Sequence, residues 1–160
     1  MIYILVALKV EAQAFVDKYK LVDYKNENMQ VIVSGIGVKN MYESTLEIAQ
    51  DLKMDDRLVN IGICGASKKF NIGDLLEIDL ASKSCNESIL TCVDKEVSAE
   101  NIYDIVDMES DGFIQVAKSI NNSYIFKIVS DHFEPKTVTK DKAKKLIFNK
   151  IDEIMEKINK

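Results

Sequence analysis

The chain has 160 residues, of which 47% are hydrophobic and 29% charged, with 6 glycines and 1 proline. This balance suits one globular domain over 1–160 and excludes fibrous, low-complexity and disordered classes. The net charge is −5, and Arg57 is the only arginine among 21 basic residues, so nucleic acid is not an expected partner.

The opening MIYILVALKVEAQAF has no basic leader, and its apolar run stops at Lys9, too soon to cross a bilayer. Ile2 to Leu8 therefore reads as a strand buried on both faces, and no membrane partner is expected. Without an export signal the expected location is cytoplasmic. Cys64, Cys85 and Cys92 are then expected as reduced, buried thiols, since their spacing fits neither a disulfide framework nor a zinc site.

MQVIVSGIG predicts a second strand ending in a glycine turn, and Met41, Thr45, Leu46, Ala49 and Leu52 follow at helical spacing. RLVNIGICGA is a third strand, Ile72 to Ile78 a fourth after Gly73, and SILTCV a short fifth. Weak helical character appears near Ser98 to Tyr103. DIVDM then reads as strand and Ser110 to Ile120 as helix, with Phe113, Val116, Ala117 and Ile120 on one face. YIFKIVS is another strand. From Thr139 to Asn159, apolar residues recur at three- and four-residue steps, which predicts an amphipathic helix. This alternation predicts an α/β fold with a mixed, mainly parallel sheet covered on both faces.

Such sheets bind ligands beyond the carboxyl ends of their strands. Glu11, Ser34 to Gly37, Gly62 to Ala66, Asp107 to Glu109, and Ser130 with Asp131 all fall at those ends. Each also has a plainer reading. Glu11 could be a solvated helix-start charge, the acids around Met108 partners of a helix dipole, and Asp131 a turn cap. GIGVKN lacks the third glycine of a dinucleotide fingerprint, so its glycines either admit a ligand to the backbone or make a structural turn. His132, the one histidine, is expected in an exposed loop, and no metal site is expected.

Five segments in order, VALKVEAQAF, VSGIGVKNM, VNIGICGASKKFNIGDLLEID, DIVDMES and IVSD, resemble the nucleoside phosphorylase and nucleosidase superfamily. The nearest branch is that of the methylthioadenosine and S-adenosylhomocysteine nucleosidases. The resemblance implies a three-layer α/β/α domain acting on a nucleoside without metal or other cofactor. It further implies that Glu11 activates the attacking water and that Asp131 supplies or stabilises the proton on the departing purine. Glu109 then accepts hydrogen bonds from the sugar hydroxyls, Met108 lies against the ribose, and Ile36, Cys64, Gly65, Val97 and Ser130 line the substrate site.

Cleaving an N-glycosidic bond requires one carboxyl that carries a proton and one that is ionised, as in glycoside hydrolysis. Phosphorolysis would need cationic donors for phosphate, commonly arginine forks, and Arg57 precedes its strand at the end away from the predicted site. Hydrolysis is therefore expected, with phosphorolysis and a catalytically silent, nucleoside-binding relative as alternatives. Compared with the resembling nucleosidases, the segment between Ile78 and Leu90 is short, and Glu96 stands where they stack an aromatic on the base. A second copy of the chain, as a dimer, is the expected means of closing the pocket.

Overall fold

The computed structural model describes residues 1–98 and 102–160. The stretch near Ser98 to Tyr103 with expected helical character runs across 99–101, outside the described residues. In chain order the elements are β1 (Ile2–Val6), α1 (Lys9–Tyr19), β2 (Met29–Val33), α2 (Val38–Ala49), β3 (Arg57–Ala66), β4 (Leu75–Ile78), β5 (Ser84–Cys85) and β6 (Ser88–Cys92). They continue with β7 (Ile105–Asp107), α3 (Ser110–Ala117), β8 (Ser123–Asp131) and α4 (Lys140–Ile158), the last preceded by a 3-10 turn at Pro135–Thr137.

Three departures from the sequence reading have local causes. Helix α1 has a buried stripe of Glu11, Ala12, Ala14 and Phe15, small residues interrupted by an acid, so its periodicity is faint. Strand β4 begins at Leu75 rather than Ile72 because Asn71 and Asp74 close a turn. The two-residue β5 pairs with β6 through Asn86 and Glu87, both at positive φ as a tight hairpin requires.

The sheet is mixed: β1–β2, β1–β3, β3–β8 and β6–β7 are parallel, whereas β3–β7, β4–β8 and β5–β6 are antiparallel. Strand side chains alternate between two cores. Ile4, Val59, Ile61, Phe126 and Ile128 pack under α1 and α4. Leu5, Leu58, Cys64, Ile125 and Val129 pack under α2 and α3. The result is a three-layer α/β/α arrangement. Among the described residues no helix is long and apolar enough to cross a membrane.

Strand β3 organises the site. β8 occupies one edge from Leu58 to Gly65, and the other edge is shared, with β1 pairing Arg57 to Asn60 and β7 pairing Gly65 and Ala66. Between Asn60 and Gly65 that second edge has no strand beside it among the described residues. A backbone N–H left there needs another acceptor.

Candidate active site

A cleft of about 240 Å³ opens beyond the carboxyl ends of β1, β3, β7 and β8. It brings together all nine residues expected at a substrate site: Glu11, Ile36, Cys64, Gly65, Val97, Met108, Glu109, Ser130 and Asp131. Arg57 begins β3 at the opposite end.

Glu11 fills the gap beside β3. Its Oε1 accepts from the Ile63 amide at 3.1 Å, and its Oε2 accepts from the Leu8 and Ala7 amides at 2.9 and 3.1 Å. At the third position of α1 it reaches back to the helix start, half of a capping box. It is only 2% exposed, which corrects the solvated reading. Burial pushes its pKa up to about 7, against the pull of the backbone donors and Lys127.

The two acids around Met108 divide their work. Asp107 points into the protein: its Oδ2 accepts from the Ser110 amide at 2.9 Å and its Oδ1 from the Ser110 hydroxyl at 2.6 Å, so it holds the start of α3. Glu109 faces the cleft, where its Oε1 accepts from the Gly37 amide at 3.2 Å and its Oε2 from the Met108 amide at 3.3 Å. Burial raises its pKa above the usual carboxylate range, with Lys127 opposing. The GIG turn therefore brings a backbone amide to a side chain, and Gly37, at φ 99°, takes a conformation that favours glycine.

Beneath these carboxylates lies Lys127, 1% exposed, with Nζ 2.8 Å from Asp107 Oδ2. Burial alone would depress its pKa, but Asp107, Glu109 and Glu11 together hold it above the ordinary lysine value. The sequence reading passed over this residue. Its signal was a lone lysine inside YIFKIVS, a strand apolar on both sides, where a charge must be paired.

Asp131 ends β8 with its Oδ2 accepting from the Glu134 amide at 2.8 Å. The Ser130 hydroxyl lies 2.6 Å from Asp131 Oδ1 and 3.0 Å from the Cys64 carbonyl. One hydroxyl proton serves one of these acceptors at a time. His132 is half-buried, its Nδ1 3.0 Å from the Ala66 carbonyl, and not freely exposed as expected. Cys64 is buried and its thiol is pushed well up by burial, so it serves as wall rather than nucleophile. Cys85 and Cys92 are only half-buried, a correction to the expectation of three buried thiols. Glu96 also lines the cleft, and no aromatic side chain does among the described residues.

The fold is that of the nucleoside phosphorylases and nucleosidases, with the mixed, helix-covered sheet that defines them. Among solved structures, the chain is similar to the 5'-methylthioadenosine nucleosidase of Arabidopsis thaliana (TM-score 0.74, 17% identity, covering 99% of this chain and 95% of that one). It is also similar to the 5'-methylthioadenosine/S-adenosylhomocysteine nucleosidase of Neisseria meningitidis in complex with methylthio-immucillin-A (0.71, 16%, 98% and 97%). Futalosine hydrolase of Helicobacter pylori gives 0.67, 17%, 95% and 97%. No protein-family model and no curated protein matches the chain.

Proposed function

We propose that this chain is an enzyme that hydrolyses the N-glycosidic bond of a purine nucleoside of the methylthioadenosine or S-adenosylhomocysteine kind, releasing free base and pentose. The observation that carries this reading is the convergence of Glu11, Glu109 and Asp131, in three different environments, on one cleft. In the transition state the sugar gains positive charge and the base negative charge. Glu11, with a proton affinity near neutrality and three backbone donors fixing its orientation, activates the attacking water. Asp131, aligned by Ser130 and the Glu134 amide, supplies or stabilises the proton on the departing base. Glu109 accepts from the sugar hydroxyls, with Met108 against the ribose. Ile36, Cys64, Gly65 and Val97 wall off the reacting groups.

Water is the nucleophile in this reading because the cleft is rich in carboxylates that repel phosphate. The buried ammonium of Lys127 is already committed to Asp107. Two copies of the chain associate in the cytoplasm through an exposed apolar stripe, Ile36, Tyr42 and Leu46, which leads from the cleft rim along α2.

The test is product analysis with methylthioadenosine, S-adenosylhomocysteine, inosine and adenosine, each with and without phosphate. Base release without phosphate, abolished by Asp131→Asn or Glu11→Gln, supports the hydrolase. Sugar phosphate formed only when phosphate is present makes it a phosphorylase. Glu96 on a cleft with no aromatic ring among its described lining residues favours the second reading, a silent nucleoside-binding relative. No release under either condition would select it.

A further inference from the structure

Three carboxylates, Glu11, Asp107 and Glu109, line the cleft above one buried ammonium, and their partnership with it is unequal. Lys127 on β8 is paired with Asp107 on β7, both essentially out of solvent. Glu11 lies across Gly62 from that ammonium. A Cβ added at Gly62 would sit 3.4 Å from Glu11 Oε1 and 3.5 Å from Lys127 Nζ, so only the missing side chain separates the two groups. Glu109 also faces Lys127 from the start of α3. Asp131, Cys64, Glu96 and Lys140 stand around the same cleft. Asp107 Oδ2 holds the ammonium at 2.8 Å, and the Ser110 amide and hydroxyl donate to its two oxygens.

We propose that Asp107 is a positioning residue: by keeping the Lys127 ammonium on the β7 side of Gly62, it withholds that cation from Glu11 and so sets how readily Glu11 takes up a proton. Without the Asp107 charge, Lys127 turns to the carboxylates across the glycine, and Glu11 ionises at lower pH. The link to rate rests on the reading of Glu11 as the group that activates water. The link to ionisation does not.

The experiment is a carbon-13 NMR titration of the glutamate carboxyls in the full chain without substrate, with the Glu11 signal assigned by its loss in Glu11→Gln. Asp107→Asn is expected to move the Glu11 midpoint down by about one pH unit, or about tenfold more carboxylate at a pH below it. Ser110→Ala, which removes one clamp but leaves the charges, is expected to leave the midpoint within a few tenths of a pH unit. Asp107→Asn combined with Lys127→Met removes both charges and leaves no unpaired ion to unfold the chain, and it is expected to raise the midpoint. An unmoved or raised midpoint in folded Asp107→Asn overturns the proposal, as does a Ser110→Ala shift as large as that of Asp107→Asn. If Asp107→Asn does not fold, a double-variant midpoint at or below the wild-type value overturns it. Where base release is measurable, the acid limb of kcat/KM follows the same midpoints. Absence of base release counts against the proposed activity and leaves the NMR result standing.

Discussion

A carboxyl that titrates near 7 makes both rate and stability depend on pH. If Glu11 activates water as proposed, base release should rise with pH up to about 7, since that role needs its ionised form, and a pH profile of kcat/KM checks the limb. Glu11→Gln should flatten that limb and lower kcat/KM by roughly 10²- to 10⁴-fold. Stability runs the other way. The folded pKa lies above the 4.5 of the free side chain, so this group's contribution is fully present below 4.5 and is lost as pH rises through about 7. Urea unfolding at pH 4.5 and pH 8 should therefore shift in favour of Glu11→Gln relative to wild type by about 3 kcal/mol. None of this could be read from KVEAQAF, because burial of an acid follows from a gap in a sheet that forms far along the chain. The roles of Asp107 and Glu109 were equally hidden: both precede a helix, and only the fold turns one inward and the other toward the cleft.

At the scale of elements, the order of strands and helices was legible because most strands are β-branched runs and α2, α3 and α4 keep a clear apolar stripe. Helix α1 was not, since alanines and a buried acid take the place of large side chains. The packing of α2 on α3 was also out of reach. An added Cβ at Gly112 would come within 2.1 Å of the Val38 carbonyl, so the helices touch backbone to backbone there. Gly112→Ala should push α3 away from α2, cost about 3 kcal/mol and move Glu109, whose Gly37 contact spans the same two helix starts. Thermal unfolding would show the loss. Thr139 caps α4 by accepting from the Lys142 amide, and Thr139→Ala should cost about 1 kcal/mol without moving the cleft acids.

For the whole molecule, the mainly parallel sheet could be inferred from alternation, whereas the way β3 divides one edge between β1 and β7 could not. The proposed self-association through Ile36, Tyr42 and Leu46 predicts a sedimenting species larger than 18.1 kDa at micromolar concentration, and Leu46→Glu should shift it to the single chain. A sharp 18.1 kDa boundary for the unmodified chain would remove the dimer. The divided edge has another consequence. Where a neighbouring strand is lacking, a side chain stands in for it, and that side chain is the acid assigned to the attacking water. A descendant of such a chain that stopped turning over substrate would still need a side-chain acceptor at position 11 for the Ile63 amide, whatever its activity. Persistence of this glutamate is therefore a poor marker of activity, and the fate of Asp131, on which no sheet edge depends in the same way, is the better one.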